Sequence, residues 1–315
     1  MSSIVTWREI EPTLRGIDLL EEMSLGFQAY SSGRCVVPPV GELLLDQSQG
    51  EVHIKYGYVR GEEHYVIKVA SGFPGNPALG LPVGDGLMLL FRQDNGALAR
   101  VLLDEGHLTD ERTAAAGALA SKTLAPPAVE GVGILGTGVQ ARLQAAHHAC
   151  VFPEAELLIW GRDPGKSAAC QAELSEMGLR ARAAQDVESL CKESQVIVTT
   201  TAAKESVLAS DWVQAGTHVT AVGSDTPEKQ ELEVGLLTRA DKVACDSLDQ
   251  CRLRGEVSQA LRAGALGEEE VVELGAILSG DADGRGAPEE VTICDLTGVA
   301  VQDLRIAEAV HRALA

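Results

Sequence analysis

The chain has 315 residues, 45% of them apolar and 23% charged, an ordinary globular mix long enough for one or two domains with sizeable cores. Its formal net charge of −20 repels phosphate backbones and anionic lipid headgroups, so neither nucleic acid nor membrane is an expected partner. No apolar run approaches the ~20 residues of a membrane helix, and the opening Met1-Ser-Ser-Ile-Val-Thr-Trp-Arg8 lacks a signal-peptide pattern, so a cytoplasmic location is expected.

In chain order, Ile17, Leu20, Met23, Phe27 and Tyr30 fall at helical spacing over 17–31, and Gly33 ends that helix. Residues 52–59 and 65–70 read as strands. Strands 87–91 and 97–103 flank Asp94-Asn95-Gly96, a hairpin signal. Residues 109–123 form an Ala-rich helix with Thr109 or Asp110 as N-cap. Pro126-Pro127 closes the segment and marks the expected domain boundary. Beyond it, strands at 132–135, 157–160, 196–200, 218–222, 242–245 and 291–294 alternate with helices, among them 139–150 and 164–177. That alternation predicts a parallel, doubly wound sheet over 128–300. A last helix, about 301–315, is expected to return to the first domain, 1–127. Cysteines 35, 150, 170, 191, 245, 251 and 294 form no Cys-x-x-Cys pair and no zinc pattern with histidine; they read as reduced, mostly buried thiols, with no metal site.

The clearest motif is Gly136-x-Gly138-x-x-Ala141, directly after an apolar strand and opening a helix. The first glycine allows the tight turn, the second admits a pyrophosphate to the backbone, and the small third residue lets helix and strand pack closely. N–H groups around Thr137, Gly138, Val139 and Gln140 would then meet the phosphates. Thr200, Val222 and Gly223, at later strand ends, join this cofactor set. A purely structural glycine turn is the plain alternative. The second strand ends Ile159-Trp160-Gly161-Arg162-Asp163. An acid at its end would bond the ribose 2′-hydroxyl of NAD, whereas an arginine suits the 2′-phosphate of NADP. Gly161 takes the acidic position and Arg162 follows, which favours NADP over NAD. Asp163 remains a candidate ribose partner, and Arg162 also fits a solvated surface residue.

Several patterns then converge: Ile67-Lys68-Val69 before Gly72-x-x-Gly75-Asn76-Pro77; Leu108-Thr109-x-x-Arg112-Thr113-Ala114-Ala115; the glycine motif; Ala221-Val222-Gly223-Ser224-Asp225-x-Pro227-x-Lys229-x-Glu231-Leu232; Gly255-Glu256; and Asp295-Leu296-Thr297-Gly298. Over nearly its whole length the chain resembles the ornithine cyclodeaminase/μ-crystallin family. The resemblance implies a homodimer, a smaller α+β substrate and dimerisation domain built on an antiparallel sheet, and an active site in the cleft beside a Rossmann-type NAD(P)-binding domain. Its members include ornithine and lysine cyclodeaminases, alanine dehydrogenases, ketimine and pyrroline-carboxylate reductases, and a lens crystallin that binds NADPH and thyroid hormone.

Arg112 falls in the first turn of the expected helix, where the helix dipole disfavours a cation; a substrate carboxylate would supply the reason. The resemblance assigns a carboxylate-binding arginine here; a surface pair with Asp110 or Glu111 is the alternative. Lys68 lies in the apolar run Tyr65–Ala70, where burial would cost free energy unless the ammonium is paired. The resemblance puts it on the substrate carboxylate or a reacting water; a solvent-facing strand lysine is the alternative. Asp225 follows a strand at its carboxyl end, where ligands bind in α/β sheets. By resemblance it is the general acid/base at the substrate nitrogen, moving the proton that must leave an amine or join an imine. The alternative is a cap of the next helix. Lys229 and Thr297 are weaker cofactor and substrate candidates, and His147 and His148 show no ligand spacing. The sequence departs from cyclodeaminases where they carry an early arginine: it reads Pro38-Pro39-Val40-Gly41, and Lys55 is a loosely aligned substitute. The expected activity is an NAD(P)-dependent imine reductase or amino-acid dehydrogenase on a small amino or imino acid. A cyclodeaminase releasing ammonia without net redox change, and a crystallin-like binding protein, are the alternatives.

Overall fold

The computed structural model describes residues 3–315. They divide into two compact units: the residues up to Arg112 together with Val299–Ala315, and Thr113–Gly298.

The first unit is built on a mixed, mostly antiparallel sheet. Among the described residues its strands are β1 (Ser3–Thr6), β2 (Cys35–Val36), β3 (Gly41–Leu45), β4 (Gly50–Val59), β5 (His64–Gly72), β6 (Gly84–Arg92) and β7 (Leu98–Leu103), in the order β1-β7-β6-β5-β4-β2, with β3 paired to β4. Only β1, beside β7, runs parallel to its neighbour. Alternation along β5 buries Val66 and Lys68, while Tyr65 and Ile67 face the other, less buried side. The register sets Lys55 opposite Lys68, and Lys68 opposite Met88. The Asp94-Asn95-Gly96 turn joins β6 to β7 as expected, with Gly96 at φ +71°. Helix Ala300–Ala313 packs on this sheet and on helix Leu19–Ser31, and its residues 300–310 are buried. A Cβ on Gly26 would stand 3.0 Å from Cγ of Arg305, so these two helices cross closely and a larger residue would make the Arg305 side chain give way.

The Ala-rich helix runs His107–Leu124, which corrects its expected start. Glu105 and Gly106, both at positive φ, turn the chain, and the carboxylate of Asp104 accepts from the Leu108 N–H at 2.9 Å. Thr109 and Asp110 therefore lie inside the helix and do not cap it, and Arg112 sits in the second turn. The division between units falls within this helix, upstream of Pro126-Pro127. From Thr113 onward its polar groups bond to the second unit: Gln144 Nε2 to the Thr113 carbonyl, Ser121 to Thr220, and Arg285 Nε to the Leu124 carbonyl.

The second unit is a parallel sheet of strands β8 (Gly131–Leu135), β9 (Glu156–Trp160), β10 (Ala181–Ala183), β11 (Val196–Thr199), β12 (His218–Ala221), β13 (Lys242–Cys245), β14 (Val271–Glu273) and β15 (Thr292–Asp295), ordered β10-β9-β8-β11-β12-β15-β13-β14. Strands β8, β11, β12 and β15 are wholly buried; β8 and β11 read as near-continuous apolar runs, while β12 and β15 carry buried polar side chains. The order reverses between β8 and β11, and in such sheets ligands bind outside the carboxyl ends at that point.

A buried polar chain crosses this unit. Nδ1 of His148 is 2.7 Å from the Gln144 carbonyl, so it carries the proton. Burial lowers His148 to about 4, so at neutral pH its Nε2 is an acceptor, and Ser121 donates to it at 2.8 Å. Ser121 then accepts from Thr220, and Thr220 from Nε2–H of His218, which burial lowers to about 3. Nδ1 of His218 stands 2.9 Å from the Thr292 hydroxyl, which donates to the Leu124 carbonyl at 2.9 Å and accepts from Arg285 Nη2. Among the described residues all seven cysteines are free thiols, no acid, histidine and thiol cluster could hold a metal ion, and no helix is long and apolar enough to cross a membrane.

Candidate active site

In the first unit the cations expected from the sequence meet around one carboxylate. Asp303, in the first turn of helix Ala300–Ala313, is fully buried. Its Oδ1 accepts from Nε of Arg112 at 2.9 Å, and Nζ of Lys68 stands 3.3 Å from its Oδ2 as an ion pair. Lys68 and Arg112 are only 2% and 4% exposed, so neither the solvent-facing strand lysine nor the surface arginine holds. Nη1 of Arg112 reaches Oε1 of Gln302 at 3.4 Å, and that oxygen also accepts from the Val299 N–H. Lys55, buried on the next strand, adds its charge. Burial pushes the Lys68 ammonium down to about 8, opposed by Asp303. Burial also works against ionised Asp303, but the charges of Lys68, Arg112 and Lys55 hold its carboxyl below the usual range. Asp104 is buried too and pushed up to about 6. Lys68 and Arg112 thus share the one carboxylate of Asp303, an arrangement that suits binding of a second carboxylate.

In the second unit, β8 runs into the glycine turn. Gly136 has φ +133°, and a Cβ on it would stand 2.2 Å from the Thr200 hydroxyl, so only glycine fits. Thr200 donates that hydroxyl to the Leu135 carbonyl at 3.0 Å, joining the ends of β8 and β11. A Cβ on Gly138 would meet nothing within 4 Å. No side chain caps helix Val139–Val151, which starts there, and Val139 is exposed. Open space over uncapped helical N–H groups fits a pyrophosphate. Gln140, one turn in, is half-buried and accepts from Gln144. At the end of β9, a Cβ on Gly161 would stand 2.7 Å from Cγ2 of Thr137, so an acid there would require the Thr137 side chain to shift. Asp163 caps helix Pro164–Glu176 by accepting from the Gly165 and Lys166 N–H groups. Arg162 is exposed.

Past β12, Val222 is buried, and the Gly223 N–H is taken by Glu231, which also accepts from Thr199 and the Thr201 N–H. Asp225 follows. The next regular helix, Val234–Arg239, begins after Glu233, so Asp225 caps nothing. Its Oδ1 accepts from Nζ of Lys229 at 2.7 Å. The loop is stitched down from helix Gly255–Arg262 and the residue before it: Arg254 donates to the Asp225 carbonyl, Gln259 and Arg262 to the Pro227 carbonyl, and Glu256 accepts from the Glu231 and Leu232 N–H groups. Burial, with Glu231 close by, pushes Glu256 up to about 8. Thr297 is buried, with its hydroxyl donated to Asp246 and accepting from Gln250.

Sequence reasoning missed Asp303, Gln302, Asp104 and the Glu231–Glu256 pair. The one available signal was polar Gln302-Asp303 inside a helix otherwise rich in Ala, Val, Leu and Ile.

A parallel sheet with a glycine turn at its switch point, and a mixed sheet bearing buried cations, define a two-unit α/β protein with a Rossmann-type sheet. The chain belongs to the ornithine cyclodeaminase/mu-crystallin family, whose model matches residues 2–315. It is 40% identical over 303 residues to an uncharacterized cyclodeaminase of Sinorhizobium fredii (strain NBRC 101917 / NGR234), covering 95% of this chain and 91% of that one. Its fold is similar to that of an archaeal alanine dehydrogenase dimer with bound NAD, at TM-score 0.90 and 31% identity over 99% of this chain and 95% of that one. It is also similar to the iminosuccinate reductase of Paracoccus denitrificans in complex with NAD+, at TM-score 0.87 and 30% identity over 99% and 96% of the two chains.

Proposed function

We propose that the chain is an NAD(P)-dependent oxidoreductase acting on the CH–NH or C=N bond of a small amino or imino acid. The observation that carries this reading is the pair Lys68 and Arg112, both buried and both turned on the single carboxylate of Asp303. Two buried cations that share one carboxylate can take a second, which a substrate would supply. Arg112 meets Asp303 through Nε and Gln302 through Nη1, which leaves Nη2 and the second Nη1 proton for the substrate carboxylate. Lys68 binds the same carboxylate, with Lys55 as a further cation. Asp225 moves the proton at the substrate nitrogen, with Lys229 holding the carboxylate in place between turnovers. A nicotinamide supplies or accepts the hydride when bound. Gly136, Thr137, Gly138, Val139 and Gln140 would hold its pyrophosphate, with Thr200, Val222 and Gly223 lining the strand ends. Thr297 acts through position, since its hydroxyl is already committed.

The preferred cofactor is NADP. Gly161 supplies no acid, Asp163 is used as a helix cap, and Arg162 is free to take a 2′-phosphate. The NAD held by the two solved relatives favours the other choice and makes Arg162 the residue to test. The functional form is a homodimer, supported by the dimeric archaeal relative and by Leu43, Leu44, Leu45 and Tyr56 exposed on the first unit's sheet. A monomer in sedimentation at micromolar concentration would count against it.

A cyclodeaminase is the second reading, favoured by the relative from Sinorhizobium fredii. One experiment separates the two. Pyruvate with ammonium, iminosuccinate and a cyclic ketimine are each offered with NADPH or NADH, and ornithine and lysine with NAD. Stoichiometric oxidation of the nicotinamide by an imine supports the reductase. Ammonia release from ornithine or lysine at constant nicotinamide absorbance overturns it. Binding of NADPH with no turnover of any compound would favour a crystallin-like binder.

A further inference from the structure

Asp303 lies on none of the motifs quoted from the sequence, yet both Lys68 and Arg112 terminate on it. Its two oxygens are divided between them: Oδ1 to Nε of Arg112 at 2.9 Å, Oδ2 to Nζ of Lys68 at 3.3 Å. The contact is shielded from bulk solvent, since Asp303 is fully buried and Lys68 nearly so. The carboxylate also sits in the first turn of its helix, where the dipole favours a negative charge. Its neighbour Gln302 fixes the Arg112 guanidinium from the side through Nη1.

We infer that Asp303 is the positioning residue of the carboxylate site: it aims the Nη end of Arg112 and keeps the Lys68 ammonium in place and charged. The inference rests on the reading of Lys68 and Arg112 as carboxylate binders. A guanidinium held through Nε cannot pivot about its own long axis, so the orientation of its outer edge is set before any ligand arrives. A lysine buried on a strand loses its proton easily unless an acid faces it. The charged groups around Lys68 are Asp303 from the C-terminal helix, Arg112 from the helix His107–Leu124, Lys55 from β4 and Asp104 after β7, with His107 beside Asp104. Burial, and then the charge of Arg112, drive the Lys68 proton off. Of the two acids, Asp104 is itself pushed up by burial, and its Oδ2 is spent on the Leu108 N–H. Asp303 therefore does most of the work of keeping Lys68 charged.

A purely structural tie between helix and sheet would give Asp303 the same contacts. It differs in one respect: its loss would lower stability without moving the pH dependence of carboxylate binding. The test is nuclear magnetic resonance of the protein labelled with ¹³Cε-lysine, the Lys68 signal being assigned by its absence in Lys68→Arg. In the unaltered protein Lys68 should titrate near 8. Asp303→Asn should move that midpoint down by ~1–3 units, the usual effect of removing one close opposite charge, and Asp303→Glu should largely preserve it. An unmoved midpoint in a folded Asp303→Asn protein overturns the inference. If that variant does not fold, the Asp303 carboxyl ¹³C signal of the unaltered protein decides. An ionised carboxylate at pH 7 supports the role and a protonated one overturns it.

Pyruvate binding measured by calorimetry against pH then separates this inference from the reading beneath it. In the unaltered protein binding should weaken as pH rises through the Lys68 midpoint, and in Asp303→Asn the weakening should begin correspondingly lower. A Lys68 midpoint that moves while pyruvate binding does not follow keeps Asp303 as the holder of Lys68 and overturns Lys68 as a carboxylate binder.

Discussion

Nζ of Lys229 stands 2.7 Å from Oδ1 of Asp225, four residues earlier, on a loop whose backbone is tied down by Arg254, Gln259 and Arg262. A carboxylate held on so firm a loop is suited to repeated proton transfer at one place. Asp225→Asn keeps the size and polarity of the side chain and removes its exchangeable proton. Turnover should fall by ~10²–10⁴, the usual share of general acid–base catalysis. Cofactor affinity should hardly change, because the turn at Gly136 and Gly138 is untouched. Single-turnover hydride transfer at saturating substrate is the measurement, and full-speed transfer in the variant would refute the role.

Arg112→Lys keeps a positive charge but loses both the Nε bond to Asp303 and the forked Nη end. The loss should fall on KM, with kcat/KM reduced by about 1.5–3 kcal/mol, the value of a hydrogen bond to a charged group. Steady-state kinetics that show kcat falling with KM unchanged would argue against a carboxylate-binding role.

Arg162→Ala should weaken NADPH binding by about 1–3 kcal/mol while leaving NADH binding nearly as it was, since only NADPH offers a 2′-phosphate for a charge-assisted bond. Fluorescence titration of both cofactors gives the comparison. Equal losses, or none, would show that this arginine does not read the phosphate.

The buried chain through His148 and His218 makes an acid-sensitive lock. Both imidazoles are neutral when folded, lowered to about 4 and about 3, and both would titrate near 6.5 when unfolded. Below 6.5 the unfolded state binds more protons, so stability should be complete above that pH and decline as pH falls toward 4 and 3. The pair should account for a few kcal/mol, on the order expected for buried groups shifted this far. Urea unfolding midpoints at a series of pH values should show the decline, and His148→Gln should flatten it at the cost of lower stability at pH 7. A decline just as steep in the variant would place its origin in the carboxylates instead.

What could be read from the sequence was whatever depends on neighbours in the chain. The glycine turn, the alternation of strands and helices beyond it and the hairpin at Asp94-Asn95-Gly96 are local, and they form as expected. Burial of Lys68 was visible as a charge in an apolar strand. Its partner was not, because Asp303 lies 191 residues from Arg112 and an acid in a helix's first turn looks like ordinary dipole chemistry. Strand β3 escaped for a different reason. Its Leu43, Leu44 and Leu45 are all exposed, so no alternation marks it. The helix Trp7–Leu14 carries Pro12 inside it, which argues against a helix when read alone. Asp104 was overlooked because the cap it forms lies outside the Ala-rich stretch, before the turn at Glu105 and Gly106.

The packing of Gly161 beneath Thr137 also constrains how cofactor preference can evolve in this chain. An aspartate introduced at position 161 would bring its Cβ to 2.7 Å from the threonine methyl, so Gly161→Asp taken first forces the Thr137 side chain to shift within the glycine turn. Thr137→Ser removes that methyl and leaves the hydroxyl, which would stand at a tolerable 3.4 Å. The two positions are therefore coupled: the change at 137 lowers the steric cost of the change at 161, so the order in which a lineage acquires them matters.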